Sequence, residues 1–144
     1  MNPPPGGEPR LVNLAIKVAD LDVAIATIEG LPGARLRAVH ELDGARFAEA
    51  ELGDTVVNLF TEALYEDPAA PLPLGPLHTS YAVDSLAPVL EDAAWRTVLI
   101  WGPQEIVGGF GRRRIAFFEP LPGTRVELME IRADGEERGD ADGG

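Results

Sequence analysis

Apolar and polar positions alternate with period two through Leu11 to Val18. Leu14, Ile16 and Val18 fall on one side of a strand, and Asn13, Ala15 and Lys17 on the other. Asp20 or Asp22 then offers a helix cap, and a short apolar helical segment covers Val23 to Leu31. Three strand-like runs follow, Ala34 to His40, Arg46 to Leu52 and Thr55 to Phe60, separated by turns at Asp43-Gly44 and Gly53-Asp54.

The same order of elements returns. Pro76 to Leu86 repeats the opening run, so that Asn13 pairs with His78, Val18 with Val83 and Leu21 with Leu86 at an offset of 65 residues. A helical segment is predicted over Leu86 to Trp95, capped by Asp84 or Ser85. Strands are predicted over Arg96 to Trp101, Arg113 to Phe118 and Arg125 to Ile131. The closing runs VVNLFT and RVELME also match and pair Asn58 with Glu127.

These patterns predict an α+β chain of two βαβββ modules, residues 11–62 and 77–131, joined by a linker over Ala63 to Gly75. The modules are expected to form a curved mixed sheet around a central cavity, with the helices on its convex face. Residues 10–131 make one domain. Residues 1–9 and the acidic stretch 132–144 are rich in Gly, Pro and charge and are expected as disordered tails.

Register arithmetic picks out the cavity residues. A two-residue turn at Gly53-Asp54 sets Leu52 against Thr55 and therefore Glu49 against Asn58. Phe47, Glu49 and Glu51 share a face. In the last strand Val126 and Leu128 go to the helices, while Arg125, Glu127 and Met129 face away. A sheet face carrying Asn13, Lys17, Glu49, Asn58, His78 and Glu127 is too polar for a second core and reads as a cavity lining. His40, beside Glu41 at a strand end, is expected at the surface.

Composition narrows the partners. The chain has 12 basic against 24 acidic residues, a net charge of −12, which disfavours nucleic acid. No apolar run approaches the ~20 residues of a membrane helix, so no membrane partner is expected. The first residues do not read as a signal peptide, and the absence of cysteine suits a reducing cytoplasm.

The segment FFEPLPGTRVELMEI, Phe117 to Ile131, resembles the terminal hairpin of the vicinal oxygen chelate superfamily. LVNLAIKVADLDVAI is similar to that family's opening strand and helix, and the likeness runs over about residues 11 to 131. The family includes glyoxalase I, extradiol dioxygenases, antibiotic resistance proteins and methylmalonyl-CoA epimerase; the region from Glu105 to Glu130 is most like the epimerases.

The resemblance implies one divalent ion, zinc, manganese, iron, cobalt or nickel, at Asn13, Asn58, His78 and Glu127, with a metal-free site as the equal alternative. Asn13 stands where metal-binding members carry histidine, and Asn58 where they carry glutamine, glutamate or histidine. Glu127 and Glu49 are the implied proton carriers, although the family's second glutamate aligns with Phe47. Lys17, Phe47, Trp101, Phe110, Arg113 and Phe117 are the expected substrate contacts. The implied activity is an isomerase, epimerase or lyase acting on a small carbonyl compound. The alternative is a protein that sequesters a drug-like or natural-product ligand. A homodimer is expected by analogy.

Overall fold

The computed structural model describes residues 4–132. In chain order the elements are β1 (Arg10–Lys17), α1 (Leu21–Glu29), β2 (Ala34–Leu42), β3 (Ala45–Leu52), β4 (Thr55–Phe60), β5 (Gly75–Val83), α2 (Ala87–Glu91), α3 (Ala93–Thr97), β6 (Leu99–Gly108), β7 (Gly111–Leu121) and β8 (Thr124–Arg132). The fold is α+β, with strand, helix and three strands occurring twice. Two compact units divide it: Val12–Ser80, and the described residues up to Leu11 together with those from Tyr81 on.

In the amino-terminal unit the strand order is β2-β3-β4-β1-β5. β1 runs parallel to β4, with Ala15 opposite Asn58, whereas β2, β3 and β4 are antiparallel neighbours, so the sheet is mixed. Asp20 caps α1 by accepting from the Val23 N–H at 3.0 Å, which starts the helix two residues earlier than the apolar run suggested. Leu21, Ala48, Val57 and Leu59 form the core beneath α1, joined by Ile16, Val18, Ile25 and Ile28. The Asp43-Gly44 turn has positive φ at both residues, 53° and 80°, the geometry that matches strand twist in a tight hairpin.

The other face of β1 is also covered. Ala15 is fully buried against Ala63 and Leu77, flanked by Phe60, Tyr65 and Leu72. The segment linking β4 to β5, expected only as a connection, therefore folds back over that face.

In the carboxy-terminal unit the order is β5-β8-β7-β6, β5 running through both units. Val83, Leu86, Val89, Ala116, Phe118 and Leu128 build its core. The single helix expected over Leu86 to Trp95 is two. Asp92 adopts an extended conformation and its side chain accepts from the Ala94 and Trp95 N–H groups, ending α2 and starting α3. Neither Asp84 nor Ser85 caps α2; the Leu86 N–H donates instead to the Glu130 carboxylate at 2.9 Å. Because α3 takes up residues 93–97, β6 begins at Leu99, and the glycine-rich residues Gly108 to Gly111 form the β6–β7 turn, where Gly108 pairs with Gly111.

Residues 4–9, expected as part of a tail, contain Gly6, whose carbonyl accepts from the N–H groups of Asp84 and Ser85 at 2.8 and 3.1 Å. Apart from Arg132, the expected acidic tail lies outside the described residues, as do residues 1–3. Among the described residues no helix is long and apolar enough to cross a membrane.

Candidate functional site

In the amino-terminal unit the pairing of Ala15 with Asn58 puts Asn58 on the same face as Asn13 and Lys17. The pairing of Glu49 with Asn58, as the hairpin arithmetic predicted, adds Glu49 and Phe47. Phe47 stacks on Phe60 with centroids 4.8 Å apart, and together with Arg46 and Glu62 they line a cavity of about 280 Å³. Asn13 is buried and Asn58 half-buried. The Oδ1 atom of each is shut off from solvent and has no hydrogen-bond partner, so the two amides do not bond each other. An acceptor stranded in this way costs about 1–3 kcal/mol. Two of them lie on adjacent strands, and buried acceptors left open are uncommon in folded chains.

Glu49 is clasped from two sides. Arg37 reaches its carboxylate at 3.0 Å and His40 Nε2 at 2.7 Å. His40 is not the surface residue expected. Its side chain is only 12% exposed, and its ring lies 5.1 Å from that of Phe47. The signal was present in the sequence: a two-residue turn at Asp43-Gly44 puts His40 opposite Phe47, the register observed.

His78 on β5 is buried, and its Nδ1 lies 2.9 Å from the Tyr65 hydroxyl, which also donates to the Leu77 carbonyl at 3.2 Å. The one hydroxyl proton serves either the Leu77 carbonyl or the imidazole nitrogen, and the contact holds the His78 ring in place. Tyr65 comes from the linker, and neither motif nor alternation pointed to it.

Lys17 is buried on the expected face, and its ammonium is held by the Glu66 carboxylate and, at 2.9 Å, by the Leu72 carbonyl, both from the linker. Glu66 also accepts from the Ala63 and Leu72 N–H groups. Burial raises its pKa, but the Lys17 hydrogen bond, the two backbone N–H groups and the Lys17 charge outweigh that and hold it below the ordinary carboxylate value.

In the carboxy-terminal unit Trp101, Phe117 and Glu127 form one rung across β6, β7 and β8. Glu127 and Phe117 are buried, and the Trp101 ring meets Phe117 edge-on at 5.5 Å. Arg113 lies with its guanidinium 5.2 Å from the Phe110 ring centre, donating to the Phe110 carbonyl and to Met129 Sδ. Arg112 pairs with Glu105 at 2.9 Å.

The divalent ion implied by the sequence finds a poor donor set. Among the described residues no three His, Cys, Asp or Glu side chains gather as a metal group. Two of the four implied ligands are amides, which donate weakly to transition metals. The residues present do not fit such an ion.

This mixed sheet of two repeated modules is a fold shared with solved methylmalonyl-CoA epimerases, which are members of the vicinal oxygen chelate superfamily. Methylmalonyl-CoA epimerase from Mycobacterium tuberculosis superposes with a TM-score of 0.64 at 21% identity, covering 89% of this chain and 91% of that one. A hypothetical protein from Bacillus halodurans C-125 gives 0.65 at 18% identity, over 89% and 98% of the two chains. A methylmalonyl-CoA epimerase in complex with methylmalonyl-CoA and NH4+ gives 0.62 at 18% identity, over 87% and 96%. No protein-family model and no curated protein matches the sequence.

Proposed function

We propose that this protein is an epimerase or isomerase that moves a proton on a carbon next to a carbonyl group of a small molecule, with an acyl thioester such as methylmalonyl-CoA as the first candidate substrate. The observation that carries the reading is Glu49. Its carboxylate stands on the sheet face that also bears the two stranded amide oxygens, held by His40 and Arg37. The likeness in fold to methylmalonyl-CoA epimerases supports it.

The chemistry needs a base and a return donor. One carboxylate takes the proton from the carbon acid, and the bond electrons pass to the carbonyl oxygen as an enolate. Protonation of the opposite face of the carbon gives the epimer, with no net oxidation. Glu49 and Glu127 are the candidate carriers. Phe47, Trp101, Phe110 and Phe117 are aromatic contacts for the acyl part, and Arg113 is a contact for an anionic group. A homodimer belongs to this reading and is checked by light scattering.

Incubation with methylmalonyl-CoA in D2O tests it. Deuterium should enter the substrate carbon, and Glu49→Gln and Glu127→Gln should each slow that exchange by roughly 10²-fold or more. Wild-type protein that exchanges no 2-substituted acyl thioester would overturn the reading. Sequestration of a basic ligand is the second reading, favoured by the amides at Asn13 and Asn58 and by the net charge of −12. Tight binding without exchange is its signature.

A further inference from the structure

We infer that Asn13 and Asn58 form a seat for a positively polarised N–H group or a monovalent cation, with ammonium the simplest occupant, and not for a transition metal or an anion. The argument rests on the amino-terminal unit alone and stands whether or not the protein is an epimerase.

Parallel pairing fixes the arrangement. Asn58 is opposite Ala15, so the two asparagines lie on adjacent strands, on one face, one step of the pleat apart. Both Oδ1 atoms are closed to solvent and have no partner. An amide oxygen accepts and does not donate, so only an N–H, an O–H or a cation completes it. A carboxylate or phosphate would set oxygen against oxygen. Glu49, in register with Asn58, adds negative charge on the same face, and although Arg37 and His40 share it, this again disfavours an anion. Cobalt, nickel and zinc draw their affinity from imidazole, thiolate and carboxylate donors, which two amides do not replace. Neutral or weakly charged carbonyl-type oxygens suit a large monovalent ion or an N–H group.

Two sources supply that chemistry, a free ion and an N–H carried on a ligand. The full chain, treated with chelator and exchanged into choline chloride, is melted in increasing ammonium chloride, potassium chloride or propionamide at fixed ionic strength. Ammonium is expected to raise the melting temperature by about 2 °C or more. A matching response to potassium assigns the seat to a free cation, and a response to propionamide assigns it to an N–H borne by a ligand. Asn13→Leu combined with Asn58→Leu removes both acceptors while keeping a branched side chain and should abolish the response. If that variant does not fold, Asn58→Leu alone, at the half-buried position, should weaken it severalfold. Cobalt(II) added to the wild-type chain should keep the visible spectrum of the hydrated ion. Three results would each overturn the inference: no shift with any of the three solutes, a shift that survives in the folded leucine variant, or a cobalt spectrum that changes at one equivalent.

Discussion

His40 Nε2 lies 2.7 Å from the Glu49 carboxylate, and the two side chains reach each other from adjacent antiparallel strands of one hairpin. A carboxylate held in this way has a fixed orientation, and the imidazole beside it can share its proton. In the proposed reaction His40→Gln should lower the rate of deuterium exchange by roughly 10²-fold, with a smaller change in substrate affinity. Single-turnover exchange measured beside equilibrium binding separates the two. An equal loss in both would place His40 in binding alone.

Lys17 and Glu66 form an ion pair with side chains 9% and 1% exposed. Lys17→Met leaves the carboxylate buried without its cation and should cost about 3–5 kcal/mol in urea unfolding. Glu66→Gln added to Lys17→Met removes the stranded charge while keeping an amide oxygen for the Ala63 N–H. That double variant should recover a substantial part of the loss.

The same carboxylate gives stability a pH dependence of known sign. The Glu66 pKa is below its ordinary value of 4.5 in the folded chain, where Lys17 and the backbone N–H groups outweigh burial. The unfolded chain therefore takes up its proton first as pH falls. The contribution of Glu66 is fully present above about pH 4.5 and is lost progressively as pH falls through the lower folded value. Urea titrations from pH 6 to pH 3 should show a shallower loss for Glu66→Gln than for the wild-type chain.

Gly6 has φ of +76°, and a Cβ built there would lie 2.1 Å from the Ser85 carbonyl oxygen. Gly6→Ala should destabilise the chain by more than about 1 kcal/mol. Gly44, with φ of +80° and nothing within 4 Å, is the control, since alanine there meets only the backbone strain. Thermal melts of the two variants compare directly, and equal losses would show that the close approach at Gly6 contributes nothing.

Tyr65→Phe removes the hydroxyl beside His78 Nδ1. It should cost about 1 kcal/mol and change the environment of the imidazole nitrogen it touched. With only two histidines in the chain, nitrogen-15 spectra against a His40→Gln reference assign the change to His78.

Where strands alternate and turns are tight, the sequence was legible. The register of Glu49 with Asn58 followed from the two-residue turn, and the outward phase of Glu127 from alternation along its own strand, even though the β7–β8 pairing shifts between Phe118 and Leu121. The same count through Asp43-Gly44 would have found His40. Residues whose place depends on a long connection were not legible. Nothing in the spacing of Ala63, Tyr65, Glu66 and Leu72 says that they fold back over β1, so Tyr65 and the Glu66 partner of Lys17 were missed. Asp92 was hidden in a different way. It sits inside an apolar helical pattern, and its preference for bonding nearby N–H groups won over helix continuation.

The folded-back segment also decides where the chain can be divided. A fragment ending at Glu62, the boundary suggested by the repeat, would carry β1 with Ala15 bare and Lys17 without its counter-ion. The smallest piece that keeps its own roof extends to Ser80 and borrows the opening of the next repeat. The repeated half and the compact half of this molecule are thus different stretches of chain, and a scheme to transplant or recombine its modules has to follow the second.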